Sequence, residues 1–419
     1  MGNENIQFNR VAETIIFKSA ERGIVLLIGA RQTGKTTLVK LKYSNFPYYN
    51  LDAPEYREQL SGISTFDWGK DVGEAVFDEI QKEARLLEKI KYSYDNNTIN
   101  FSVLLGSAQI LLLSKIKESM AGRVFIFELY PLMLSELVAE TQPLQKPILD
   151  NIINCSKIDN VFSKLPSTLL GSKWDNLIEK ENTLIKWGGM PPLFHLSGDT
   201  RKRNWLNSYS IAYLERDLSD LANLKDLKPF KKFQQLTALR TSNLISFSEL
   251  ATDASISVET ARRYIEYLKI SFQVFLLQPY KINLTSSLVK TPKLYWIDNG
   301  LARHLSGIGY EIVTGELFEN YVASEIFKYI RTTNSSAKLS FYRTRSGMEI
   351  DFIIETEKGI VAIEVKNRTT IRSKDFSAIK KIAKASSTNW IGGIVIYRGN
   401  KLIKIEDNLW AIPSCRFFA

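Results

Sequence analysis

The sequence predicts an α/β protein divided into several domains. Three stretches carry that expectation: a glycine-rich loop between an apolar strand and a helix near the start, a helix–turn–helix followed by a strand in the middle, and a pair of apolar strands bearing charges near the end. At 419 residues the chain exceeds what a single hydrophobic core usually organises. Its 44% apolar and 24% charged content is that of a folded chain rather than a disordered one. Lys and Arg outnumber Asp and Glu by 55 to 45, and the net charge of +10 permits a polyanionic partner without requiring one.

Cysteine and histidine usage excludes more. Cys155 and Cys415 are the only thiols, and His195 and His304 the only imidazoles. A disulfide framework, a CxxC zinc site and a histidine-rich metal centre are therefore ruled out, and any hard-cation site must use carboxylates. No run approaches eighteen uncharged apolar residues, and "MGNENIQFNR" lacks the basic and apolar regions of a secretion signal. The expectation is a cytoplasmic protein with no membrane span.

In the first stretch, "GIVLLIGARQTGKTTLVKL" (23–41), a buried strand from Ile24 to Ile28 leads into a loop and then a helix. The loop fits GxxxxGK[ST] in full, from Gly29 to Thr36. Its glycines let backbone N–H groups curl around phosphate oxygens, and the helix N-terminus adds its positive end. Gly29, Gln32, Thr33, Gly34 and Thr37 are expected around the phosphates of ATP, Lys35 on the β- and γ-phosphates, and the Thr36 hydroxyl on Mg²⁺. A second strand runs through "PYYNLDA" (47–53). In "GEAVFDEIQ" (73–81), Asp78 ends an apolar strand and is expected to hold Mg²⁺ through water, with Glu79 polarising the attacking water; an acidic helix N-terminus is the alternative. A third strand in "NFSVLLGSAQILLL" (100–113) ends at Ser107, suited to a γ-phosphate sensor, an N-cap or both. Arg123 lies in a glycine-flanked turn. It is either a finger completing the ATP site of a neighbouring copy, which would make a homo-oligomer, or a surface arginine.

In the middle, "WGGMPP" (187–192) is a turn-rich junction, and "TRKRNWLNSYSIAYLERDLSDL" (200–221) is strongly helical. Arg216 and Asp217 near its end suit an interdomain ion pair or an ATP-site contact in trans. In residues 243–280, Ser248 is expected to cap a short helix, "ASIS" to turn, and Val258 to Leu268 to form a second helix exposing Arg262 and Arg263, before the strand "QVFLLQPY". This is a winged-helix pattern, which serves either to read DNA or to space protein domains.

Near the end, "MEIDFIIETEKGIVAIEVK" (348–366) alternates. Ile350, Phe352 and Ile354 are expected on one face of their strand with Asp351 on the other; Val361, Ile363 and Val365 share a face opposite Glu364 and Lys366. Asp351 and Glu364 would then sit about one strand spacing apart, roughly 5 Å, placed to share a divalent cation, with Lys366 beside them to orient water or stabilise developing charge. The alternative is a salt-bridged sheet edge.

"GARQTGKTTL", "FDEIQ", "LLGSAQ" and "ESMAGRVFIFELYPLMLSEL", followed by "WGGMPPLF", "YLERDLSDL", "KLYWIDNGLARHL" and "GELFENYVASEI", together resemble the prokaryotic AAA-superfamily P-loop ATPases that carry a C-terminal domain of unknown function. The D…ExK hairpin resembles the PD-(D/E)XK nuclease fold, and that likeness implies Glu319, on the preceding helix, as a further metal ligand with Asp351 and Glu364. It also implies Mg²⁺, with Mn²⁺ acceptable, at that site, and Arg343 and Arg345, just before the hairpin, are candidate phosphate contacts. The division expected is an ATPase core over 1–140, a helical lid and linker over 141–222, a winged helix over 223–285 and a nuclease-like α/β domain over 286–419. Two functions follow. One is an ATP-hydrolysing protein acting on nucleic acid, DNA favoured, with cleavage gated by the nucleotide. The other is an ATP-dependent signalling or scaffold switch whose C-terminal domain binds a protein partner without cutting.

Overall fold

The computed structural model describes residues 7–17, 21–106, 120–140, 143–212, 227–280, 290–385 and 389–419. Five parallel strands form the first sheet: β1 (Gly23–Ile28), β2 (Tyr48–Asn50), β3 (Val76–Asp78), β4 (Phe101–Gly106) and β5 (Val124–Glu128), in the order β2-β3-β4-β1-β5. Every residue of β1 is buried, with apolar clusters on both faces of the sheet. A strand buried on both faces reads as a continuous apolar run, which is how "GIVLLI" appears. The glycine loop leaves the C-terminal end of β1, beside the end of β3, where open α/β sheets bind their ligands.

The middle unit contains the Lys228–Leu239, Phe247–Ala254 and Val258–Ile270 helices, then β6 (Val274–Leu277) and β7 (Lys293–Trp296), which pair antiparallel. The cap of the Phe247–Ala254 helix is Ser246 rather than Ser248: its hydroxyl accepts from Glu249 N at 3.3 Å, with Ser248 Oγ 3.2 Å away. Arg263 is exposed, and Arg262 stacks 4.5 Å over the Phe247 ring. The 285/286 division expected from sequence runs between β6 and β7, two strands of one ribbon.

The last third is a six-stranded sheet of β8 (Lys338–Arg343), β9 (Glu349–Thr356), β10 (Gly359–Lys366), β11 (Trp390–Tyr397), β12 (Ile403–Glu406) and β13 (Leu409–Pro413), ordered β12-β13-β11-β10-β9-β8. Strands β8, β9 and β10 form an antiparallel meander; β11 returns parallel to β10 after the Ser377–Ala385 helix. Val361, Ile363 and Val365 share a core with Tyr321, Val322 and Ile326 of the Gly315–Thr332 helix, while Ile360 and Ala362 pack with Ile379 and Ile382 on the other face. Strand β9 departs from simple alternation. Ser340 pairs with Ile353 but Tyr342 pairs with Ile350, so β9 carries one extra residue around Asp351. Ile350 consequently joins the core of Ile353, and Phe352 and Ile354 join the opposite one, correcting the single face expected for all three.

The "GG" of "WGGMPP" is a close backbone crossing. Leu132 N donates to Gly189 O at 2.7 Å, and Gly189 N donates to Asp298 Oδ2 at 2.7 Å. Asp298 also caps the Asn299–Ser306 helix through Leu301 N at 2.9 Å. A Cβ at Gly300 would lie 1.9 Å from Trp187 O, which is backbone and cannot rotate away. Gly300→Ala is therefore expected to destabilise the fold by about 3 kcal/mol or more, seen as a lower urea midpoint; an unchanged midpoint would contradict this crossing.

Candidate functional site

The nucleotide loop is set by backbone first. Gln32 and Gly34 take φ of 61° and 95°, the left-handed region that lets consecutive N–H groups turn inward. Thr33 is buried, its hydroxyl donating to Ala30 O at 2.9 Å, while Thr37 is exposed on the first helical turn. Gly29 is needed for space, since a Cβ there would lie 2.2 Å from Leu129 O. Lys35 is buried, with Nζ donating to Gly29 O at 2.9 Å and Ala30 O at 2.7 Å. The Thr36 hydroxyl donates to Asp78 Oδ2 at 2.7 Å, and so does Tyr48 OH, at 2.5 Å. A hydroxyl and a carboxylate in direct contact form a hard-oxygen pair that fits Mg²⁺.

Glu79 follows in a left-handed conformation, φ 56°, with its carboxylate accepting from Gln81 Nε2. Burial raises its pKa, with Lys35 opposing. A non-glycine residue held in that region is a strained position, of the kind found where a side chain must be aimed. Ser107 lies outside the described residues, as do Arg216 and Asp217.

Arg123 is not a contact of its own chain's nucleotide loop. Its carbonyl accepts from Ile24 N, at the N-terminal end of β1, whereas the loop leaves the other end of that strand, roughly 15 Å away. Its guanidinium pairs with Asp95 at 2.5 Å on the surface.

Arg10 was not singled out by any sequence signal. It is 5% exposed and donates to Thr33 O at 2.7 Å and to Tyr130 O at 2.6 Å, with Nε 3.1 Å from Glu136 Oε1. Glu136 also accepts from Val11 N and Met133 N, at 2.8 and 3.0 Å. At the residue after Met133, Leu134 N donates to Glu325 Oε2 at 2.8 Å, and Lys328 joins Glu325 at 2.6 Å and Leu132 O at 3.1 Å. The loop is thus braced from behind by buried charges that reach the Gly315–Thr332 helix.

That helix presents Glu319 to the C-terminal sheet. Asp351, at the extra residue of β9, is buried and accepts from Val365 N at 2.8 Å, its carboxylate standing where a ladder carbonyl would be. Lys366 Nζ donates to Glu364 at 2.6 Å. Glu319 accepts from Tyr295 OH at 2.7 Å and lies 3.1 Å from Lys293 Nζ, which is 2.6 Å from Glu349; Arg343 pairs with Glu349 at 3.2 Å, and Arg345 is exposed. Burial, then the charge of Asp351, pushes Glu319 up to about 7 and Glu364 up to about 8. Burial raises Asp351 as well.

The four expected residues are therefore brought into one electrostatic cluster, and sequence reading missed Lys293, Tyr295 and Glu349. The apolar run "KLYW" with a lysine at its start was the available hint. Among the described residues no group of three or more His, Cys, Asp or Glu side chains is set to hold a metal ion. Glu319 is taken by Lys293 and Tyr295, which leaves Asp351 and Glu364. Glu364 Oε2 is buried without a hydrogen-bond partner, so this pair suits a divalent cation that completes its shell from elsewhere.

The fold and loop define a P-loop nucleotide-binding domain, and the comparisons with known proteins agree. Residues 21–138 match the model of the AAA domain, residues 178–311 a domain of unknown function (DUF8612), and residues 314–417 another (DUF4143). The first third of the chain is thus an AAA-type P-loop ATPase domain. Uncharacterized proteins of Mycobacterium bovis and Mycobacterium tuberculosis are each 25% identical over 409 residues, covering 93% of this chain and 80% of theirs. Among solved structures, a signal transduction ATPase with numerous domains and a tetratricopeptide repeat sensor, from Pyrococcus horikoshii, aligns at 12% identity with a TM-score of 0.27. The alignment covers 78% of this chain and 47% of the Pyrococcus protein, so the chain spans about half of that protein's length. A protein of Vibrio cholerae aligns at 10% identity with a TM-score of 0.17, covering 89% and 88%. Among the described residues no helix is long and apolar enough to cross a membrane.

The raised carboxylates set a pH dependence. Between their ordinary value of 4.5 and the folded values near 7 and 8, the native state holds protons that the unfolded chain has released. Stability from these groups is complete below about 4.5 and falls as pH rises through about 8. Wild-type Tm is expected to drop more between pH 6 and 8.5 than that of Glu364→Gln; equal drops would remove Glu364 as a source.

Proposed function

We propose that this protein couples ATP binding and hydrolysis in its N-terminal domain to action on a nucleic acid backbone, DNA in particular, at the Asp351–Glu364–Lys366 cluster. The observation that carries the reading is that cluster's construction: an acid on a bulged strand, a second acid on the neighbouring strand with an unpartnered buried oxygen, and a lysine in contact with it. Burial works against a charged Lys366, but Glu364 and Asp351 outweigh it and raise its pKa, so it is cationic at neutral pH, as stabilising a phosphate requires.

In the ATPase half, Thr36 and Asp78 are the residues that would hold Mg²⁺, which supplies charge neutralisation at the phosphates. Lys35 exchanges the loop carbonyls it now holds for phosphate oxygens, and Glu79, fixed by Gln81, orients the water. In the C-terminal half, Asp351 and Glu364 would hold Mg²⁺ or Mn²⁺, which supplies Lewis acidity; Lys366 steadies the developing charge, and Arg343 and Arg345 lie near enough in sequence to meet flanking phosphates. The three helices and the β6–β7 ribbon support a winged helix, with exposed Arg263 on its second recognition-type helix. Arg123, away from its own loop and paired with Asp95 on the surface, is either a surface arginine or a finger on the loop of a neighbouring copy in a homo-oligomer.

One observation favours the second reading, a switch that binds a protein without cutting: Lys293 already neutralises part of the acid cluster. The two separate by assay. With Mn²⁺ or Mg²⁺ and single-stranded, duplex or branched DNA, the wild type is expected to cleave and Lys366→Ala to lose about 100-fold or more. Lys35→Ala is expected to lose ATP hydrolysis by a similar factor and to change the nucleotide dependence of cleavage. ATP hydrolysis without cleavage of any substrate favours the binding switch; cleavage by Lys35→Ala that matches wild type under all nucleotide conditions removes the coupling.

A further inference from the structure

The acid cluster contains one charge that the D…ExK pattern does not use. Lys293 comes from β7, within the 178–311 segment, whereas Glu319, Glu349, Asp351 and Glu364 all come from the 314–417 segment. Its side chain is 3% exposed, and its Nζ lies 3.1 Å from Glu319 and 2.6 Å from Glu349. Tyr295, two residues on along β7, donates to the same Glu319 oxygen at 2.7 Å. Trp296 N, next along β7, donates to Asn320 Oδ1 at 2.7 Å, so the ribbon is pinned to the helix that carries Glu319. An ammonium buried to this degree stays charged only where carboxylates compensate it.

Two carboxylates are tied by Lys293, and two are not. Four acids, Glu319, Glu349, Asp351 and Glu364, face three cationic side chains, Lys293, Arg343 and Lys366. With a divalent ion at Asp351 and Glu364, the remaining carboxylates, Glu319 and Glu349, converge on Lys293 Nζ, so a second ion would have to sit where that ammonium now stands.

We propose that Lys293 is a built-in counter-cation: its ammonium fills one of two cation positions among these carboxylates, so the centre takes one divalent ion rather than a pair. This rests on the reading of Asp351 and Glu364 as a metal-binding pair. It makes the centre a composite of two segments of the chain, since the middle unit supplies one of its positive charges.

The test is a Mn²⁺ titration of the full chain without nucleotide, with free Mn²⁺ followed by electron paramagnetic resonance. Ions retained by an Asp351→Asn/Glu364→Gln variant are subtracted, which removes any bound at the nucleotide loop. Wild type and Lys293→Arg are expected to bind one ion and Lys293→Met two. An equal count in Lys293→Met and wild type overturns the role of Lys293 while leaving the metal pair intact. No Asp351-dependent ion in the wild type overturns the metal-binding reading; a gain of one in Lys293→Met would then still support the counter-cation, and no gain overturns both. Because removing a buried cation can unfold the chain, thermal melts accompany the titration. Lys293→Met is expected to melt below wild type without metal and to recover more than wild type gains in millimolar Mn²⁺. A variant that Mn²⁺ does not restore shows that the ammonium cannot be exchanged for a divalent ion, and the proposal fails.

Discussion

The buried pair of Arg10 and Glu136 is the constraint on which the rest depends. Arg10 holds the carbonyl of Thr33 in the nucleotide loop and that of Tyr130 beyond β5, while Glu136 gathers the N–H groups of Val11 and Met133. Neither charge is accessible to water, so each needs the other; breaking such a pair costs about 3–5 kcal/mol. From there the contacts run without a gap into the C-terminal domain. Leu134 N meets Glu325, Arg331 pairs with Glu128 at 2.6 Å, and Leu132, Leu134 and Leu137 share one apolar core with Phe318, Tyr321 and Val322. The ATPase domain and the C-terminal sheet are separate in sequence and continuous in packing. The brace behind the loop is therefore joined to the Gly315–Thr332 helix by buried, packed groups rather than by a linker.

The same helix carries Glu319 in its first turns, so one helix meets both the buried brace behind the nucleotide loop and the acid cluster. The cluster is costly for a sheet to bury. Its cost is offset by Lys366, Lys293, Arg343, Tyr295 and the backbone N–H of Val365, each at hydrogen-bond or ion-pair distance from a carboxylate. A sheet with no use for charge would reach the same stability with apolar residues. The bulge in β9 points the same way, since it sacrifices regular pairing at the position of Asp351.

What the sequence revealed follows from range. The loop Gly29 to Thr36 is a local motif whose spacing and flanks are all visible within nineteen residues, and its strand and helix form where expected. Asp351, Glu364 and Lys366 were legible because a period of two sorts faces within a hairpin. The same rule failed at Ile350, because an extra residue in one strand resets the parity and leaves no local trace. Ser246 and Ser248 are both sound caps, and only the helix start chooses between them. Arg10, Lys293 and Tyr295 act on residues far away in sequence, so no window contains both partners.

If the Arg10–Glu136 pair transmits nucleotide binding, its effect reaches the acid-bearing helix as well as the loop. Hydrogen exchange of the full chain, with and without Mg²⁺ and a non-hydrolysable ATP analogue, tests it most directly. Amide protection is expected to change in residues 315–332 as well as around the loop, and the distant change to be lost in Glu136→Gln at saturating nucleotide. Protection confined to the loop and its sheet, with 315–332 unchanged in the wild type, would contradict it.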